Sequence, residues 1–190
     1  MLTFCFMAII HVLLIMVTFW IFALEIKLLL NKKYREYPPF IPSFGIEKKN
    51  IIKCVRNILK NSPSSMTVLD PGCGTGELIF ELAKEFPNHK FIGIEWNIII
   101  AKIFSFRARK FDNIKIICDN MFNHNFGNAD IVTCFLMDSL MKKFGQKVLN
   151  DNKKPQTIIS NTFKIPNLPL VKEIKTGDKK LFKNIYIYKL

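Results

Sequence analysis

The sequence predicts an α/β fold. A mostly parallel sheet with helices on both faces ends in a C-terminal antiparallel hairpin, and one N-terminal transmembrane helix precedes it. Three observations carry this. Strand-like and helix-like runs alternate from residue 67 to residue 161, a turn signal at Thr176, Gly177 and Asp178 lies between the last two strand-like runs, and residues 1–24 contain no Asp, Glu, Lys or Arg. With 190 residues, 49% of them hydrophobic and 13% aromatic, the chain has room for one domain and an appendage. It is too apolar to stay disordered.

The apolar segment comes first. As a helix, residues 1–24 rise roughly 36 Å, against roughly 30 Å for the hydrocarbon core of a bilayer. A cleaved signal peptide needs a basic n-region and an A-x-A-like site, and MLTFCFMAIIHVLLIMVTFWIFALEIKLLL offers neither. Residues 1–30 therefore read as an uncleaved anchor with Trp20 at an interface. Lys27, Lys32, Lys33 and Arg35 follow the segment while only the terminal amine precedes it. The positive-inside rule then puts the rest of the chain on the cytoplasmic side of a single-pass membrane protein, in a bacterial inner membrane or, in a eukaryote, an organelle inner membrane. Residues 31–45 form a linker, because YREYPPFIPS at 34–43 sets three prolines in five positions and cannot be helical.

Residues 46–190 form the domain. Ile46–Leu59 returns apolar residues at 51, 52, 55, 58 and 59, a helical stripe, and Asn61, Ser62 and Pro63 end it. Strands are expected at Thr67–Leu69, Lys90–Ile94, Ile114–Cys118, Asp130–Phe135 and Thr157–Asn161. Helices are expected at Glu77–Glu85, Ile98–Lys110 and Ser139–Leu149, and alternation of this kind implies a parallel sheet. Between Asn161 and Val171 lie nine residues that include Pro166 and Pro169, too few for a crossover helix. Val171–Lys175 and Asn184–Lys189, joined through Thr176, Gly177 and Asp178, form a hairpin at a sheet edge.

Composition excludes several chemistries. Five widely spaced cysteines without a C-x-x-C pair oppose a disulfide framework and a zinc ribbon. The three histidines have no metal-site spacing, so no metal is expected. Beyond residue 46 lie 24 of the 28 Lys and Arg and 13 of the 15 Asp and Glu, leaving +11 there. Such charge suits nucleic acid or an anionic membrane surface, and a chain already at a bilayer favours the membrane.

One motif carries chemistry. In Val68-Leu69-Asp70-Pro71-Gly72-Cys73-Gly74-Thr75-Gly76 an apolar strand ends in an acid, and glycines at alternate positions lead into a helix. The glycines let the backbone turn tightly and approach a ligand. Neither G-x-G-x-x-G nor a terminal G-K-[ST] is present, so a dinucleotide fingerprint and a P-loop both fail. The pattern resembles motif I of the S-adenosylmethionine-dependent methyltransferases with a Rossmann-like fold, which implies a seven-stranded sheet and S-adenosylmethionine as cofactor. Two further acids fit it. Glu95 closes the next strand in FIGIEWN, 19 residues after Gly76, near the spacing at which a carboxylate accepts from ribose hydroxyls. Asp119 closes IKIICDN, where the family places an acceptor for the adenine amino group. The resemblance implies cofactor contacts at Asp70, Gly72, Cys73, Gly74, Gly76, Glu95, Trp96, Asp119 and Asn120. The competing reading makes Asp70 an N-cap and leaves Glu95 and Asp119 as solvated strand ends.

The order of an apolar helix, Pro39-Phe40-Ile41-Pro42-Ser43, a helix, motif I and Gly93-Ile94-Glu95-Trp96-Asn97 narrows the likeness. It resembles the small membrane-anchored protein-lysine methyltransferases, which include the mitochondrial enzymes acting on the ATP synthase c subunit and the adenine nucleotide translocase, together with bacterial relatives. The FLMDSLMKKF and F-K-I-P segments extend the likeness over nearly the whole chain. It implies a membrane-protein substrate, with Pro42 and Ser43 on the substrate side. The chain departs from it at Cys118-Asp119-Asn120-Met121, where the family has S-D-L-W, and at Pro71.

Methyl transfer is an in-line displacement, so the site chiefly positions the acceptor. A lysine ammonium, with a pKa of roughly 10.4, must first shed a proton, which a carboxylate or an apolar slot assists. Asp138 in FLMDSL is the candidate for orienting the amine, and its alternative role is an N-cap. Two other functions stay open, an RNA or small-molecule methyltransferase and a non-catalytic cofactor-binding membrane protein. RNA is disfavoured because no N-P-P-Y or D-P-P-Y follows the fourth strand.

Overall fold

The computed structural model describes residues 2–30, 46–175 and 184–190. The linker, Pro42, Ser43 and the turn at Thr176, Gly177 and Asp178 lie outside the described residues. The chain divides into two units, residues 1–40 and residues 41–190.

The first unit contains helix α1, Leu2–Leu30. Its side chains are described at Met7 and at residues 10–23, and those named among them are exposed, Phe19 and Trp20 each at 72%. Among the described residues no helix is long and apolar enough to cross a membrane, so the span expected over residues 1–30 does not stand on them.

The second unit runs α2 (Ile46–Lys60), β1 (Thr67–Pro71), α3 (Glu77–Glu85), β2 (Lys90–Glu95), α4 (Ile98–Ala108), β3 (Ile114–Cys118), β4 (Ile131–Cys134), α5 (Asp138–Asn150), β5 (Thr157–Asn161), β6 (Leu170–Lys175) and β7 (Asn184–Lys189). One seven-stranded sheet has the order β3-β2-β1-β4-β5-β7-β6. β1 to β5 are parallel, and β7 is antiparallel to both β5 and β6. The hairpin therefore forms, with β6 as the edge and β7 inserted beside β5. As expected, no helix joins β5 to β6. Between β3 and β4 the chain takes only two short 3₁₀ turns, Met121–Asn123 and Phe126–Asn128.

Parallel strands covered on both faces read as continuous apolar runs, and all four residues of β4 and all five of β5 are buried. The two-residue strand period divides them between two layers. Val68, Ile131, Ile159 and Ile185 pack with Val55, Leu59, Ile79, Leu82 and Phe104 of α2, α3 and α4. Leu69, Val132, Ile158 and Tyr186 pack with Met141, Phe144 and Val148 of α5.

Several boundaries move from their expected places: β4 is Ile131–Cys134, shorter than Asp130–Phe135, while α2, β2 and α5 each end one residue later and β6 starts one residue earlier than expected. β1 continues through Asp70 and Pro71, which pair with Gly93 and Ile94. The Ile94 carbonyl then accepts from both Gly72 N (2.7 Å) and Cys73 N (3.1 Å), holding the chain to β2 past the last apolar residue. α4 stops at Ala108, short of Lys110, and α5 starts at Asp138. The N-cap of α5 is Met137, with no side-chain capping bond, so the capping role considered for Asp138 is corrected.

Candidate functional site

Strand order reverses between β1 and β4, since one leads to β2 and β3 and the other to β5. In open α/β sheets the crevice outside the strand ends at such a point is where ligands bind. The motif's residues converge there. Asp70 and Glu95 stand at the ends of adjacent parallel strands and Asp119 directly follows the third.

The β1–α3 loop takes a conformation that side chains resist. Gly72, Gly74 and Gly76 have φ of 90°, 56° and 80°, in the left-handed region. At Gly76 a Cβ would lie 2.0 Å from Phe104 Cε2, so this glycine also lets α3 start against α4. A Cβ on Gly72 would sit 3.4 Å from Leu136 Cδ2, which brings the β4–α5 corner against the loop.

Glu95 fastens this loop. Its side chain is 5% exposed. One oxygen accepts from Gly74 N at 3.0 Å and the other from Asn97 N at 2.8 Å. Burial raises its pKa, while the backbone N–H groups of Asn97, Gly74 and Trp96 favour the ionised form and pull it down. Glu95 is thus a tether between the β1–α3 and β2–α4 loops, a role its spacing from Gly76 did not reveal. Asn97 caps α4, its side chain accepting from Ile99 N and Ile100 N. Trp96, partly buried, lies between the two.

Asp70 is partly buried at the end of β1. Burial pushes its pKa up to about 7, Thr133 opposes the shift by hydrogen bonding, and the Glu95 charge adds to it. The N-cap alternative for Asp70 does not hold, because Gly76 occupies that position of α3. Cys73 packs its Sγ beside Gly93, where a Cβ would meet it at 2.6 Å, and burial raises its thiol well above the ordinary value. Cys73 is therefore a packing residue whose backbone contributes to the loop.

Asp119 is more open, with its side chain 41% exposed. Asn120 N donates to Oδ1 at 2.7 Å and Asn123 Nδ2 at 3.1 Å, while His124 Nε2 lies 2.9 Å from Oδ2. Its pKa is lowered, chiefly by the Asn120 N–H. The Asn120 side chain accepts from Phe122 N at 3.0 Å and shapes the following 3₁₀ turn. Asn123 and His124 were missed by sequence reasoning, although an Asn-rich run after a strand-end acid is a signal for such a turn. Thr133, also missed, carried no signal inside an apolar strand.

Asp138 is exposed at the first position of α5, two residues beyond Leu136. Two residues of chain reach about 7 Å at most, so its backbone lies close to the glycine loop. Among the described residues no group of three or more His, Cys, Asp or Glu is arranged to hold a metal ion.

This arrangement matches known proteins. A family model described as the ANTKMT methyltransferase domain matches residues 70–172, more than half of the chain. A protein-lysine N-methyltransferase from Saccharolobus islandicus (strain REY15A) is 26% identical over 155 residues, which is 80% of this chain and 95% of that protein. Among solved structures, an RNA methyltransferase from Salinibacter ruber in complex with S-adenosyl-L-homocysteine superposes with a TM-score of 0.62 at 16% identity, covering 78% of this chain and 93% of that one. Magnesium protoporphyrin IX methyltransferase from Synechocystis PCC 6803 with bound SAM has a TM-score of 0.54 at 11% identity, covering 79% and 86%. At these identities the two structures establish the fold alone.

Proposed function

We propose, for a chain that belongs to the ANTKMT methyltransferase domain family and is an S-adenosylmethionine-dependent methyltransferase, that it N-methylates lysine side chains of a protein held at a membrane. The observation that carries the reading is the buried Glu95 carboxylate joined to the glycine loop, together with the lysine methyltransferase similar over 80% of the chain. The residues present fit the cofactor. Three successive left-handed glycines leave the backbone beside Asp70 and Glu95 free of side chains, and both acids sit at the reversal of strand order.

S-adenosylmethionine supplies an electrophilic methyl group on a sulfonium. The chain's own residues do the rest. Glu95, already fixed by two backbone N–H groups, has lone pairs left to accept from ribose hydroxyls. Asp119, held open by Asn120, Asn123 and His124, offers an acceptor toward the adenine edge. Asp70 would lie toward the cationic end of the cofactor, where a positive charge would favour its ionised form. Trp96 and Asn120 border the same space. Asp138, beside the Leu136 corner, would orient the acceptor amine by accepting a hydrogen bond from it and would take up its proton as a general base, passing it on to water. Pro42 and Ser43, assigned to the substrate side by the resemblance, lie outside the described residues.

Membrane attachment is assigned to α1. From Val12 to Phe22 its large apolar side chains are 50–72% exposed with no charged residue among them. Such a surface suits lipid better than water. In this reading residues 46–190 are the catalytic domain, and the distribution of Lys and Arg favours the cytoplasmic side.

The test is methylation of membrane fractions from the source organism, with isotopically labelled S-adenosylmethionine and mass spectrometry of the products. Methyl-lysine on a membrane protein is expected, and removal of residues 1–30 should slow that reaction while leaving cofactor binding intact. Label found only in RNA or in small molecules would overturn the reading.

A further inference from the structure

Helix α4 carries a face that the fold does not use. Ala101, Phe104 and Ala108 pack inward, while Ile98, Ile99, Ile103 and Phe106 are 59, 67, 47 and 68% exposed. At the α-helical angular step these four fall in one arc of about 140°. Lys102, exposed, falls in the same arc, and the exposed Arg109 and Lys110 follow in the turn that ends the helix, with the Arg109 guanidinium 5.1 Å from the Phe106 ring centroid. No acid occurs from Ile98 to Phe111. The remaining cation, Arg107, points elsewhere, bonded to the Thr75 carbonyl and to Glu77.

Apolar side chains interleaved with cations, and no anion, describe a helix lying in the headgroup boundary of a membrane. Its aliphatic and aromatic groups enter the acyl edge, and the cations reach lipid phosphate along their flexible stems. We propose that this face of α4 docks on the anionic surface of a lipid bilayer. A second copy of the chain fits less well, because pairing two such faces would set three cations against three like charges. Single-stranded nucleic acid fits less well too, since stacking uses aromatic platforms and this arc has only Phe106 beside three isoleucines. The chain's net charge of +13 adds general attraction to anionic lipid. The inference goes beyond the attachment assigned to α1 and does not depend on the acceptor. Because α4 begins directly after Asn97, docking would hold the Glu95 loop near the lipid.

Hydroxyl-radical footprinting of the full chain reads the two helices separately. Vesicles of phosphatidylcholine alone are compared with vesicles of equal parts phosphatidylcholine and phosphatidylglycerol. On the mixed vesicles oxidation of Ile99 and Phe106 should fall several-fold, and high salt should reverse this. The triple variant Lys102→Glu, Arg109→Glu, Lys110→Glu should need on the order of a hundredfold more anionic lipid for the same protection, while protection of Met16 and Trp20 in α1 stays as it was. Equal protection on neutral vesicles would overturn the proposal, as would none on either kind. So would protection without vesicles that grows with protein concentration, or protection by an RNA oligonucleotide in preference to vesicles. Loss of protection in α1 alone would count against α1 attachment and leave this inference standing.

Discussion

The two halves of the sheet, β3-β2-β1 and β4-β5-β7-β6, meet at the reversal of strand order and differ in how far their polar groups are already satisfied. In the first half Glu95 is buried with both oxygens bonded to backbone N–H groups, and Asp119 is ringed by Asn120, Asn123 and His124. In the second, Asp138 is exposed and uncapped at the start of α5. Just past β5, Asn161 Nδ2 and Thr162 Oγ1 are buried without hydrogen-bond partners, and Thr162 has a φ of 71°. Buried unpaired groups on a strained backbone are costly and concentrate where ligands complete a site. The half that carries the glycine loop is preorganised by its own loops, whereas the other half keeps polar groups that its fold does not use.

The hardest way to break the first half is at Gly76. Gly76→Ala forces a left-handed φ on a side chain and drives its Cβ to 2.0 Å from Phe104, a fully buried ring. Strain and overpacking together cost about 4 kcal/mol, so the melting temperature should collapse and cofactor binding should vanish. Adding Phe104→Ala should remove the overlap and recover neither stability nor binding in full, since the φ remains and a cavity opens.

Asp70 sharpens the comparison through pH. Its folded pKa of about 7 lies above the unfolded value of 3.8. The stability it contributes is therefore full below about pH 4, declines as pH rises and is lost above about 7, an effect of at most about 4 kcal/mol. Asp70 keeps some surface at the ligand edge, so solvent reduces this. Denaturation profiles of Asp70→Asn should lose most of that slope, with a remainder from Glu95, whose raised pKa acts in the same direction. Near pH 7, calorimetry in buffers of different ionisation enthalpy should show proton release on cofactor binding by the parent and none by Asp70→Asn.

Glu95 and Asp119 differ in the same terms. If Glu95 also accepts from the ribose hydroxyls, Glu95→Ala removes those acceptors as well as untying Gly74 from Asn97, and the Kd for S-adenosylmethionine should rise on the order of a hundredfold. Asp119→Ala, at an exposed position, should raise it only a fewfold. Titration calorimetry decides, and equal effects would mean that Glu95 acts as a loop tether alone.

How much of this was legible in the sequence follows the same division. From Val68 to Asp119 the chemistry is local: alternate glycines demand unusual φ, apolar runs end in acids, and parallel pairing aligns those ends. The roles of Thr133 against Asp70, of Gly74 against Glu95 and of Leu136 against Gly72 come from contacts between segments, which no spacing encodes. The place of β7 between β5 and β6 was hidden for a related reason, because a hairpin reads the same whichever of its strands pairs with the sheet. Burial of Ile185, Tyr186 and Tyr188 against a mostly exposed β6 settles the order. The charge-free start of the chain was plain in composition, yet composition does not say how much of it lies in lipid.

The smallest expected effect tests the second half by itself. Asp138→Asn removes a charge from an exposed side chain that makes no capping bond, so folding should change by no more than about 1 kcal/mol, the loss of its favourable interaction with the α5 dipole. Cofactor affinity should not move, because the glycine loop is held by Glu95 and packed by Leu136, neither of which the substitution touches. If Asp138 orients the acceptor amine, kcat for a lysine substrate falls about tenfold, and the loss is greatest at low pH, where the amine most needs help in shedding its proton. Asp138→Glu should recover part of the rate. A helix-dipole role alone predicts a slightly lower melting temperature with kcat and its pH profile unchanged. That result would move the acceptor site away from the β4–α5 corner, toward the unpaired polar groups of Asn161 and Thr162.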